Sequence, residues 1–274
     1  MYEFADDLLR AAFYGALCVV VVWEYLAQFR PVHMSILKRW VNNFGIGALG
    51  YLAEHALLFF TGIGAALYAE DRDFGLLPTL SVPEPVLVVV SVLLMDMLFY
   101  WLHRLFHRVP LLWRIHAVHH SDTEIDASVA FRRHPLELVV NPLVMGPIIL
   151  ALGIPWVAIL IFQASRAAVL FFEHANVAIH GVVDGWLRRF IVTPNMHRIH
   201  HSADCEETDS NYGDLLTWWD RLFGTYRASP KQPALTMTIG LEYFRSPDNA
   251  RLDRMLLQPF ASPGVFQADS LTAE

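Results

Sequence analysis

Five apolar runs limit what this sequence can become: Leu8–Gln28, Phe44–Ala69, Pro83–His103, Glu137–Gly153 and Ile154–Phe172. A helix of about 20 residues crosses the ~30 Å hydrocarbon core of a bilayer. Lipid offers the backbone no hydrogen-bond partners, so a spanning segment must satisfy its own. The last two runs meet at Leu152-Gly153-Ile154-Pro155, a joint too short for an external loop, which predicts a tight helical hairpin. With 55% hydrophobic and only 17% charged residues, the expected fold is all-α. It is an integral-membrane helical bundle of four to five spans, including that hairpin, with a cytoplasmic histidine-rich helical cap.

The acidic start MYEFADDLLR lacks the basic region and small-residue cleavage site of a secretory signal, so the first run is read as a retained span. Arg30, Lys38 and Arg39 follow the first run, and AEDRDFG after the second is acidic. Arg104, Arg108, Arg114, Arg132 and Arg133 follow the third, and Arg188, Arg189 and Arg198 the fifth. Lys and Arg favour the cytoplasmic side. The pattern alternates with the N-terminus outside and the hairpin turning at the outer face, which predicts an inner-membrane protein with its histidine clusters on the cytoplasmic side. A net charge of −7 gives no basic footprint for nucleic acid. Cys18 and Cys205 make neither a disulfide framework nor a CxxC motif.

Eight of the thirteen histidines fall in three clusters. His103 and His107 are four apart; His116, His119 and His120 follow the spacing i, i+3, i+4, and His197, His200 and His201 repeat it. On a helix such residues share a face, with Cβ atoms about 6 Å apart. One such histidine means little, but three clusters on one predicted membrane side point to metal, since neutral imidazole is the commonest nitrogen ligand for iron, zinc and copper. Eight are too many for one ion and suit two.

In order and spacing, these clusters between hydrophobic runs resemble the fatty acid hydroxylase/sterol desaturase superfamily, its bacterial sterol-desaturase-like branch above all. FRRHP at 131–135, FEHAN at 172–176, TPNMHRIHHS at 193–202, NYG at 211–213 and WDRLFGTY at 219–226 extend the match, which covers about Leu93 to Tyr226. The resemblance implies an O₂-dependent enzyme with two histidine-bound iron ions that hydroxylates or desaturates an unactivated C–H bond of a lipid. It also implies further ligands between the second and third clusters, His174 and His134; His180 matches no motif and is read as a surface residue. Zinc can replace iron in such a site. With no cofactor motif in the chain, electrons are expected from a ferredoxin or a cytochrome b5-like protein. The expected regions are a two-span N-terminal part (1–82), a hydroxylase-like catalytic part (83–228) and a C-terminal cytoplasmic segment with a loose tail (229–274).

An all-histidine site calls for carboxylates that accept from the far ring N–H of each ligand. Asp96 shares a helical stripe with Tyr100, His103 and His107 and is the first candidate, ahead of Asp122, Glu124, Asp126 and Glu173. Charged residues inside a span are costly and usually paired or functional. Glu54 and Arg166 are expected to pair, with Arg166 on the substrate path, and His55 is read as structural. Asn211 is a weaker candidate for approaching the metals, and WDRLFGTY is read as packing. The competing readings are a histidine-rich membrane zinc enzyme, which lacks an HExxH here, and a metal transporter, which would place its ligands at the bilayer midplane.

Overall fold

The computed structural model describes residues 2–57 and 62–261. Proline and glycine punctuate the helices. α1 is Tyr2–Leu26, α2 Ile36–His55 and α3 Gly62–Asp71. α4, Glu84–Arg108, opens on Pro83 and Pro85, where a missing N–H costs nothing. Val109, extended ahead of Pro110, ends it, and α5 (Pro110–His120) starts at once in a new direction. α6, Pro135–Leu152, stops at Gly153 in the left-handed conformation, and α7 is Trp156–His174. The short α8 (Gly181–Leu187), α9 (Pro194–His200), α10 (Cys205–Thr208), α11 (Trp218–Leu222) and α12 (Leu252–Leu257) follow. The described residues form isolated bridges but no strand.

Four described helices are long and apolar enough to cross a membrane: Asp7–Leu26, Glu84–Arg108, Pro135–Leu152 and Trp156–His174. The hairpin is present as α6 and α7. The expected second span, Phe44–Ala69, is not one helix but the separate α2 and α3, both packed on α6, with residues 58–61 outside the description. The sequence there is poorly suited to a continuous lipid-facing helix. Gly47 and Gly50 let α2 approach Phe131 and Leu138, where an added Cβ would lie 2.9 Å from Phe131 O and 2.4 Å from Leu138 Cδ1.

Two ends of the bundle are distinct. At one, Gly75 (φ +120°) presses on the hairpin turn, and a Cβ there would fall 2.3 Å from Gly153 N. At the other, the C-terminal ends of α1, α4 and α7 meet the N-terminal ends of α2 and α6. Glu24 Oε1 accepts from Ala127 N (2.9 Å) and Asn176 N (2.7 Å). Arg39 donates to Asp122 at 2.9 Å and pairs with Asp126 at 2.6 Å. Three arginines counted toward orientation, Arg39, Arg132 and Arg198, are thus buried structural groups rather than surface charge. The chain beyond 228 completes this end: Gly240 N donates to His201 O (3.0 Å), and Ser121 Oγ donates to Gln258 Oε1 (2.9 Å). The expected loose tail lies largely at 262–274, outside the described residues.

Candidate metal centre

The histidines converge because helix ends converge. His103 and His107 occupy the last turns of α4, and the corner at Val109 folds His116, His119 and His120 of α5 back over them. His174 closes α7. The Thr193 hydroxyl caps α9, with Pro194 in its first turn, and aims His197, His200 and His201 at the same point. The result is two groups, His103, His107, His116, His120 and His200, and His119, His174, His197 and His201, with the ligand atoms of each within 4.8 Å of one another.

Hydrogen bonds fix which nitrogen of each ring can act. His103 Nδ1 faces Tyr212 O (2.9 Å), His200 Nδ1 faces Ser210 O (2.7 Å) and His174 Nδ1 faces Leu170 O (2.7 Å). A carbonyl only accepts, so these Nδ1 atoms carry the proton and each Nε2 presents a lone pair. Yet His200 Nε2 lies 3.2 Å from His103 Nε2, with no proton left for a bond between them. In the second group His174 Nε2 is 3.2 Å from His119 Nε2 and 3.1 Å from His197 Nε2, and His201 Nε2 is 3.2 Å from His197 Nε2. Lone pairs converge this closely around a cation. Nitrogens about 2.0–2.1 Å from one ion and roughly at right angles lie about 3 Å apart.

Both ring nitrogens of His107 and of His120, and Nδ1 of His119 and His197, are buried with no hydrogen-bond partner. Such atoms are rare unless something else binds them. Burial first, then the neighbouring imidazoles, hold His119, His120, His197, His200 and His201 well below the usual histidine pKa, in the neutral form a metal requires. The residues therefore fit a pair of metal ions.

Not every expected residue is here. His134 caps α6, its Nδ1 accepting from Leu136 N (3.1 Å) while Nε2 contacts Leu256 O (3.3 Å); it belongs to neither group. A histidine before a proline is as well suited to capping as to ligation, and the cap is what forms. Asp96 is fully buried but serves no histidine: Oδ2 accepts from Trp219 Nε1 (2.7 Å) and Leu216 N (3.1 Å). The carboxylate beside a ligand is Glu137, 3.1 Å from His116 Nδ1, with Asp209 3.4 Å from His107 Nδ1. Glu137 was missed because it opens the hydrophobic run of α6, in the first turn of the helix. Asp122 and Asp126 hold Arg39, and Glu124 accepts from His33 N. Asn211 adopts φ +55° and bonds Met196 O and Arg227 instead of approaching the histidines. His180 lies just ahead of α8, outside both groups.

The fatty acid hydroxylase family profile matches residues 88–225, half of the chain and every histidine of both groups. The chain belongs to the fatty acid hydroxylase family. It is 29% identical over 195 residues to alkylglycerol monooxygenase of Homo sapiens, covering 71% of this chain and 43% of that protein. It is 34% identical over 155 residues to the ornithine lipid hydroxylase OlsE of Rhizobium tropici, 56% and 45% of the two. With the Delta(7)-sterol 5(6)-desaturase erg3C of Aspergillus fumigatus it shares 28% over 246 residues, 81% and 72%. The chain thus matches less than half the length of the first two relatives. No solved structure matches it.

Among the described residues, cavities reach the histidines from two places. One lies among the spans, with Phe99, Leu102 and Phe106 along α4 opposite Asn141, Arg166 and Glu173. Arg166 lines it, but its partner is Asp214 (2.6 Å), not the expected Glu54, and its guanidinium lies over the Phe99 ring at 4.6 Å. Asp214 is held well below the usual carboxylate range despite its burial, chiefly by Arg166. The other cavity touches His107 from the opposite side, between Trp113, Asp209 and Tyr243.

Proposed function

We propose that this chain is a di-iron monooxygenase that uses O₂ and externally supplied electrons to hydroxylate an unactivated C–H bond of a membrane lipid. The observation that carries it is the pair of histidine groups whose Nε2 atoms lie 3.1–3.2 Å apart, while carbonyls hold the Nδ1 protons of His103, His174 and His200. Nine histidines would hold the irons: His103, His107, His116, His120 and His200 in one group and His119, His174, His197 and His201 in the other. Bound there, two reduced irons supply the activation of O₂ that C–H oxidation requires.

The chain's own part is positioning. The cavity among the spans lies between the histidines and the apolar side chains Phe99, Leu102 and Phe106 of α4, and a lipid entering from the bilayer would pass along that wall. Arg166, clamped by Asp214 and Phe99, stands on that path. The names of the relatives favour hydroxylation, since two of the three describe monooxygenation or hydroxylation. Electrons come from a ferredoxin or cytochrome b5-like donor, for the chain has two cysteines and no cofactor motif of its own. The exposed Lys38, Arg108 and Arg114 near the histidine end support a cytoplasmic side for the metals, and similarity to a hydroxylase of Rhizobium tropici supports a bacterial inner-membrane location.

Purified protein analysed for metal should contain two irons per chain. Reduced and given ¹⁸O₂ with a lipid extract, it should yield a product heavier by one labelled oxygen. One zinc per chain with no oxygen consumed, even after iron loading, would defeat this reading.

A further inference from the structure

The two histidine groups are unequal. One gathers five rings and the other four, His119, His174, His197 and His201. Carboxylates serve the larger group from outside: Glu137 faces His116 Nδ1 and Asp209 faces His107 Nδ1. The carboxylate beside the smaller group is Glu173, and it is placed differently. It precedes His174 at the end of α7, is 1% exposed, and has no hydrogen-bond partner on either oxygen among the described residues. Two arginines line the same cavity, but Arg166 is taken by Asp214 and Arg133 by Glu137.

Glu173 Oε1 stands 3.6 Å from His174 Nδ1 and 3.8 Å from His197 Nε2. It does not orient His174, because that Nδ1 already donates to Leu170 O at 2.7 Å. His197 turns toward it the same nitrogen that faces His174 Nε2 (3.1 Å) and His201 Nε2 (3.2 Å). Glu173 thus stands on the side where the ring nitrogens converge. A buried carboxylate without a donor is among the costlier arrangements a fold can hold, and a cation relieves it. Two donors about 2.0–2.2 Å from one ion lie about 3 Å apart at right angles and about 4.2 Å apart when opposite. The 3.8 Å separation falls between these limits. His119 and His201 lie farther from the carboxylate, which closes the group from the cavity side.

We propose that Glu173 is itself a metal ligand, the fifth donor of the smaller group, binding a divalent first-row ion together with His119, His174, His197 and His201. This rests on the reading that the histidines hold two ions, and is independent of what those ions then do. The carboxylate brings a negative charge onto an ion that imidazoles alone leave uncompensated, and imidazole with carboxylate is a donor set that ferrous iron takes. The two ions are then inequivalent: one has five nitrogen donors, the other four nitrogens and an oxygen.

The test uses the full chain in detergent, loaded with ⁵⁷Fe²⁺ under anaerobic conditions, without lipid. The parent should show two ferrous Mössbauer doublets of equal area. Glu173→Gln keeps the side chain's volume and removes its charge. It should release one ion to a graded chelator at least tenfold more readily than the parent, and hold the other as the parent does. Its Mössbauer spectrum should change in one doublet only. A merely structural role for Glu173 would weaken both ions together and leave the shape of both doublets alone. Two irons held by Glu173→Gln with parental affinities would overturn the proposal, as would equal weakening of both. So would a single doublet from a parent carrying two irons, a result that needs no variant to fold. A parent that binds fewer than two ions would remove the two-ion reading and this inference with it. Selective loss of one ion in Glu173→Gln, from a parent that oxidises no lipid, would leave this inference intact and remove the monooxygenase reading instead.

Discussion

At the scale of single residues, the site is defined by what the far nitrogen of each ring meets. Glu137 meets His116, and Asp96, the carboxylate that the helical stripe singled out, meets none. The stripe was correct about which face of α4 Asp96 shares with His103 and His107, but one face of a helix touches several neighbours. At its depth the neighbours are Trp219 and Leu216. Two substitutions separate the roles. Glu137→Ala removes the acceptor that orients His116, and metal affinity should fall about 10–100-fold, read by competition with a graded chelator. Asp96→Leu strands two buried donors, and stability should fall by about 2–4 kcal/mol in denaturant while the metal-to-protein ratio of the folded fraction is kept. The opposite pairing of outcomes would restore Asp96 to the metal centre.

Elements explain why so much of the centre was legible in the sequence. Helical spacing alone placed His103 beside His107, because local geometry decides those neighbours, but the structure divides each HxxHH between the two groups, His119 from His116 and His120, and His200 from His197 and His201. The family match pointed to His174, which the structure places with His119, His197 and His201. The segment between residues 209 and 226 had no such period, and its role emerges only from tertiary contacts. Asp220 Oδ1 accepts from Tyr212 N (2.8 Å) and Thr225 Oγ1 (2.7 Å), and its Oδ2 accepts from Gly213 N (2.8 Å). These bonds aim Tyr212 O at His103 Nδ1, so WDRLFGTY is packing, as expected, but packing that sets the tautomer of His103. Asp220→Ala should therefore cost about 3 kcal/mol, three donors having lost their acceptor, and should also lower the iron bound per folded chain. A destabilised variant with full metal occupancy would show that Tyr212 O holds its place without Asp220. The broken second span was illegible for a related reason: hydropathy averages over Gly47, Gly50 and the Glu54–His55 pair, whereas the helix must satisfy each contact separately.

Across the whole molecule, spans and short helices bring nine imidazoles to one end of a bundle, and that concentration makes stability depend on pH in one direction. Outside the spans, burial and mutual crowding hold His119, His120, His197, His200 and His201 well below the usual histidine value. In the unfolded chain the same rings titrate near pH 6.5. Above about pH 6.5 both states keep these rings neutral, so they add no slope. Below it the unfolded state binds more protons than the folded one, and stability falls as pH falls toward the depressed folded values. Metal works in the same sense, because protons compete for the ligand lone pairs and a bound ion stabilises only the folded chain. The melting temperature in detergent should thus be level from about pH 8 to pH 7, then fall as the pH drops through about 6.5, with iron released over the same interval. A chelator at about pH 7.5 should lower the melting temperature without acid and leave a remaining acid dependence of the same sign. A melting temperature of the chelated protein that stayed constant down to about pH 5 would mean that these histidines are not kept neutral by burial.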